Sequence, residues 1–181
     1  LRFKESGVED VTKVVLIPLE NSLKFFKEHK TKLEIEGGTK LVFDNTISNN
    51  LFDEWIVYKF NCLKTKLVRD LDNYVLNHLK NHITEFIEDL NNVYIAFNRD
   101  RLKGKNGEKD YKQSLSTLCK VLFDCSILFS SFLPFYSEYL YKNLRTEVGQ
   151  TSESVHLLSY RDMTLRASFE KEEFSQLDET L

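Results

Sequence analysis

The chain has 181 residues, 41% apolar and 29% charged, with a formal net charge of -3. That is enough for one ordinary domain with a real core, and the composition excludes a disordered tail. The slightly acidic balance excludes a globally basic nucleic-acid binder, so any such site has to be a local patch. Cys62, Cys119 and Cys125 are odd in number and show no Cys-x-x-Cys spacing; two of them lie within apolar helical patterns, which predicts reduced thiols in a reducing compartment. The longest apolar run, Ser126 to Tyr136, is broken by serines and Pro134 and is too short to cross a membrane. The N-terminus starts Leu1, Arg2, Phe3 with no readable signal peptide, and the chain reads as a piece of a longer protein.

From Gly7 to Lys30 the apolar series Val8, Val11, Val15, Leu19, Leu23, Phe26 predicts an amphipathic helix, kinked or broken at Pro18. Residues 33–43 alternate around Gly37 and Gly38, which predicts a short β-hairpin, an irregular loop being the alternative. Asn50 is placed as an N-cap with Asp53 as its acidic partner. The helix it opens runs to Leu71, with Phe52, Ile56, Phe60, Leu63, Leu67 and Leu71 inward and Trp55 as a core anchor. Asp72 is expected to cap the next helix, Leu76 to Lys103. With Leu76, Leu79, Ile83, Phe86, Ile87, Leu90, Tyr94 and Phe97 on one face, this stretch is the one around which the fold is expected to be organised.

A basic cluster follows at the end of that helix and in the loop from Gly104 to Glu108. Between Asn98 and Lys112 six cations (Arg99, Arg101, Lys103, Lys105, Lys109, Lys112) face three acids (Asp100, Glu108, Asp110). Cations suit a helix C-terminus, so from charge alone a solvated helix end is favoured over a phosphate-binding patch. Leu115, Leu118, Leu122, Cys125, Phe129 and Phe132, widened by Val121 and Leu128, predict a helix over residues 110–132 with several neighbours. Pro134 starts a short helix through Leu144. The fold expected is therefore all-α, a bundle of about five helices over residues 1–150, with residues 151–181 as a C-terminal loop and the start of a truncated helical extension.

Several stretches bear a family resemblance, in order along the chain. They are Arg2 to Val11 with Asn21, Phe25 and Phe26; Asp53-Glu54-Trp55-Ile56; Phe86 to Gly107; the series Pro134, Phe135, Glu138, Tyr141, Asn143, Leu144; and Ser154-Val155-His156. Together they resemble the anticodon-binding domain of class I aminoacyl-tRNA synthetases, most closely the isoleucyl-tRNA synthetases of eukaryotic cytosolic type. The resemblance implies a cytoplasmic protein whose partners are an isoleucine tRNA and the catalytic and C-terminal regions of a parent ligase. It also implies Asn98, Arg99, Arg101, Lys103, Lys105 and Lys109 as tRNA-binding residues. Where relatives tend to carry Trp and an unbroken Arg run, this chain has Val93, Ala96 and Asp100, which favours phosphate contact over base readout. The alternatives are the same domain of a valyl- or leucyl-tRNA synthetase, or a helical scaffold that touches no RNA.

No catalytic residue is assigned: the His-Ile-Gly-His-like and Lys-Met-Ser-Lys-Ser-like signatures of the family's catalytic domain are missing, and no nucleophile cluster is readable. No cofactor is expected for this stretch; ATP and magnesium are implied for the parent's catalytic domain, and this chain alone should be inactive. His78 and His82 stand four apart, as in helical zinc sites, yet lack the zincin glutamate, so no metal is expected there and two solvated histidines are the default. His156 is expected to be a packing or hydrogen-bonding residue.

Overall fold

The structure is a computed structural model describing residues 5–38, 41 and 48–165. Among these residues there is no strand, and the fold is a helical bundle. Helix α1 (Glu5–Val11) runs through a wide π-helical turn, Thr12–Leu16, into α2 (Ile17–Gly37). Pro18 sits at the start of α2, where its missing N–H does least harm, so the predicted break is this π turn. Leu19, Leu23, Phe26 and Leu33 form the buried face of α2.

The expected hairpin is not formed over its first half. Leu33 to Gly37 continue α2, and Gly38 ends the helix in the left-handed region at φ 60°. Leu33 is buried while Ile35 is 76% exposed, a separation that a helix imposes and a strand would not. The rest of the expected hairpin lies mostly outside the described residues.

Helix α3 (Leu51–Asp72) begins as predicted: the Asn50 side chain accepts from the Phe52 N–H at 3.0 Å. Trp55 is fully enclosed, with the Lys59 ammonium 5.5 Å from its ring centroid. Asp72 is the last residue of α3 and caps nothing downstream. The chain turns instead through a Schellman motif, in which Val75 N–H donates to the Asp70 carbonyl at 2.7 Å and Tyr74 N–H to the Leu71 carbonyl at 3.1 Å. Tyr74 holds the left-handed position of that motif at φ 58°.

A 3₁₀ turn, Leu76–His78, leads into α4 (Leu79–Glu88), then a second π segment, Asp89–Ile95, and the short α5 (Arg99–Leu102). Leu79, Ile83, Phe86, Ile87, Leu90 and Tyr94 are buried as expected. The two ends of the expected stripe fail: Leu76 is 61% and Phe97 63% exposed. Leu76 precedes the α-helix proper. Beyond Tyr94 the wide π turn retards the phase by about one residue, so Asn98, Arg101 and Leu102 turn inward in place of Phe97.

Helix α6 (Glu108–Phe129) is the true axis of the bundle, rather than the preceding stretch. It packs on α2, α3, α5 and on α7 (Pro134–Leu144), and from Leu118 onward almost every residue is buried. Cys119 and Cys125 are core thiols, as expected, and burial pushes both well above the ordinary thiol range. Residues 151–165 are fastened to this core. Glu138 accepts from Ser154 Oγ and the Val155 N–H, both at 2.9 Å, at the start of the 3₁₀ turn Val155–Leu157. Tyr141 Oη and Arg145 Nη1 donate to the Ser152 carbonyl at 2.7 and 2.9 Å. The His156 side chain, expected to pack, is exposed.

Candidate functional site

The basic helix end is built on a buried polar cluster. Asp53, in the first turn of α3, shares the phase of Ile56 and Phe60 and therefore faces the core rather than capping its own helix. It meets Arg101, which the π turn has rotated inward to 7% exposure. Arg101 Nη2 donates to Asp53 Oδ2 at 2.9 Å and to Asp110 Oδ1 at 2.8 Å; Nη1 donates to Asp53 Oδ1 at 3.2 Å and to Asn98 Oδ1 at 2.8 Å. Nε completes the set on Asp110, 2.9 Å from each carboxylate oxygen. The planar fork suits this arrangement, because one guanidinium can engage two carboxylates and an amide together.

Tyr94 closes the inner side, donating from Oη to Asp53 Oδ1 at 2.7 Å, and Asn98 Nδ2 donates to the Tyr94 carbonyl at 2.8 Å. Burial, followed by the Asp53 charge, drives the Tyr94 phenol well above its ordinary pKa, so it remains a donor. Burial alone would lower the Arg101 pKa, but its bonds to Asp110 and Asp53 outweigh that and raise it, so the guanidinium stays charged.

The turn after α5 is fixed with equal economy. Lys105 N–H donates to the Asp100 carbonyl at 3.0 Å and Gly104 N–H to the Arg101 carbonyl at 2.9 Å, another Schellman motif, with Gly104 at φ 79°. The Tyr111 ring lies against Gly104 so closely that an added Cβ would sit 2.7 Å from Cδ1. Tyr111 Oη in turn donates to the His29 carbonyl of α2 at 2.6 Å. Loop, α2 and α6 are thereby tied into one rigid corner.

The sequence-assigned residues divide into two groups. Asn98 and Arg101 lie inside the corner with their polar atoms engaged. Arg99, Lys105 and Lys109 are exposed and Lys103 half-buried. Lys105 pairs with Asp100 at 2.7 Å, and its hydrogen bond and charge hold the Asp100 carboxyl below its usual range. Arg99, Lys103 and Lys109 have no carboxylate partner among the described residues. Their field reaches α2: burial lowers the His29 pKa, Glu28 opposes, and Lys103, Lys32 and Arg99 push it further down. Tyr94 is fully buried, so its ring offers no face for base stacking.

Asp53, Asp110, Tyr111 and Gly104 were not singled out as site residues by the sequence reading. Only Asp53 carried a signal, its register with Ile56 and Phe60. This is the arrangement of a structural anchor beside exposed cations.

The family model for the anticodon-binding domain of tRNA ligase matches residues 53–181. The chain belongs to this anticodon-binding domain family. It is 38% identical over 161 residues to the cytoplasmic isoleucine--tRNA ligase of Caenorhabditis elegans, covering 87% of this chain and 14% of that protein. The corresponding Arabidopsis thaliana protein is 39% identical over 162 residues (88% and 14%), and that of Saccharomyces cerevisiae 34% over 169 residues (88% and 16%). This anticodon-binding domain therefore spans about a seventh of the length of the curated relatives it matches.

Proposed function

We propose that the chain is the anticodon-arm docking domain of a cytoplasmic isoleucine--tRNA ligase, and that Arg99, Lys103, Lys105 and Lys109 meet the phosphates of the tRNA anticodon stem and loop. The observation that carries this reading is the division of labour at α5. Two carboxylates absorb the Arg101 charge and fix the corner, while Arg99, Lys103 and Lys109 beside it have no ion-pair partner among the described residues, Arg99 and Lys109 being exposed and Lys103 half-buried. Asn98 and Arg101 act as positioning residues. In the parent enzyme, ATP and magnesium serve a separate catalytic domain, and this domain orients the tRNA so that its acceptor end reaches that site.

The test is binding of the chain to an isoleucine tRNA and to an unrelated tRNA across a salt series. Contact by the four cations gives a log-log salt slope of roughly -3. A salt-dependent complex that prefers the isoleucine tRNA upholds the reading. Equal affinity for both tRNAs removes the isoleucine assignment, and no complex at low salt leaves the domain as a scaffold.

A further inference from the structure

At the opposite end of α3 from the Arg101 corner, three metal-type ligands converge from two helical segments. Asp70 lies in the last turn of α3 and is buried. His78 and His82 lie at the entry to α4, brought back over Asp70 by the Tyr74 turn. His82 Nε2 is 3.2 Å and His78 Nδ1 3.6 Å from the same oxygen, Asp70 Oδ2. All three candidate ligand atoms lie within 4.8 Å of one another. From these observations we infer that Asp70, His78 and His82 form a binding site for a zinc-class divalent cation that clips the end of α3 to the start of α4.

The spacing is what a tetrahedral ion requires. Zinc bonds to imidazole nitrogen and carboxylate oxygen are about 2.0–2.1 Å, so neighbouring ligand atoms of a tetrahedron stand about 3.3 Å apart. The two separations at Asp70 Oδ2 bracket that value, and small rotations of the His78 ring, 53% exposed at its side chain, bring the third into range. Arg69 supplies the outer support: its Nε and Nη2 both donate to Asp70 Oδ1, at 3.0 and 2.9 Å, leaving Oδ2 for the ion. Two imidazoles and a carboxylate select a borderline cation over magnesium or calcium, and the solvent side leaves a fourth position for water.

The experiment is titration of the metal-stripped chain with Co²⁺, read by its visible d–d absorption, and with Zn²⁺ by calorimetry and thermal melting. The expected result is saturation at one ion per chain, a zinc-dependent rise in Tm, and displacement of cobalt by zinc. His78→Gln and His82→Gln each weaken binding by more than about tenfold while circular dichroism retains the helical spectrum. Cys62→Ser, which removes the thiol in the cleft beside His82, leaves binding unchanged. Absence of saturable binding overturns the site. So does binding that survives both histidine substitutions, or that is lost with Cys62.

Discussion

The two ends of α3 solve the same problem differently. Each buries an aspartate, Asp53 at one end and Asp70 at the other, and each meets partners from an end of the helical stretch between Leu76 and Leu102. At the Asp53 end the partner is one guanidinium with its donors distributed over Asp53, Asp110 and Asn98, and the turn behind it is closed by Gly104. At the Asp70 end Arg69 holds one carboxylate oxygen while two imidazoles crowd the other, and the turn is closed by Tyr74, a bulky residue at φ 58°. The first end is saturated and rigid, suited to presenting neighbouring charges. The second end keeps coordination capacity and a strained cap, which fits a place where something further binds.

The largest effect comes from breaking the saturated end. Arg101→Glu puts a third carboxylate beside Asp53 and Asp110 and should destabilise the fold by at least about 3–5 kcal/mol, the usual cost of orphaning a buried charge. Urea unfolding would register this as a lower midpoint, and Arg101→Lys should recover only part of it, since a single ammonium cannot span both carboxylates. Wild-type stability in the Arg101→Glu protein would mean that the corner is not what holds α5.

A third buried carboxylate sharpens the comparison, because it has donors but no cation in contact among the described residues. Asp124 in α6 accepts from Thr164 N–H and Oγ1 at 2.8 and 3.1 Å and from Leu165 N–H at 2.7 Å. Burial nevertheless outweighs those bonds and pushes its pKa from 3.8 up to about 6. An acid raised in the folded state contributes stability that is complete below its unfolded pKa and is lost as pH rises through the folded one. The stability difference between wild type and Asp124→Asn should therefore shift by on the order of 2 kcal/mol against wild type from about pH 4 to 6. A difference that is flat over that range would show that Asp124 is ionised throughout.

The two caps predict opposite signs. Gly104→Ala forces a Cβ to within 2.7 Å of the Tyr111 ring at a positive φ and should cost about 1–3 kcal/mol. Tyr74→Gly relieves the left-handed strain while giving up a side chain that is 88% exposed, so it should stabilise by about 0.5–1 kcal/mol. Thermal melts of the pair decide it: two shifts in the same direction would contradict the account of the caps.

How far the sequence revealed this depends on which contacts are local. The Asn50 cap, the Trp55 anchor and the α6 stripe follow from neighbours a turn apart, and the structure agrees. The π segment at Asp89–Ile95 leaves no signature in a 3.6-residue count, so Phe97 was read as core and Arg101 as surface. Gly37 and Gly38 were read as a hairpin because a left-handed glycine serves a turn and a helix C-cap equally. The spacing of His78 and His82 was visible, but Asp70, the ligand that makes it a site, comes from another helix. Asp53 and Asp110 are likewise joined only through Arg101, a pairing that tertiary structure alone creates.

The smallest effect on stability separates presentation from support most sharply. Reversing Arg99, Arg101 and Lys103 together would confound the two roles, because Arg101 is buried. Reversal of Arg99, Lys103 and Lys109 to Glu touches only residues without carboxylate partners among those described, so the fold should change by no more than about 0.5 kcal/mol. The same substitutions replace three of the proposed phosphate contacts with anions, so tRNA affinity at low salt should collapse and the residual salt slope approach zero. If these cations were only helix-end decoration, binding would persist with its slope intact. Because folding is expected to stay constant, that outcome would count against the docking surface itself and leave the Arg101 corner as a purely structural device.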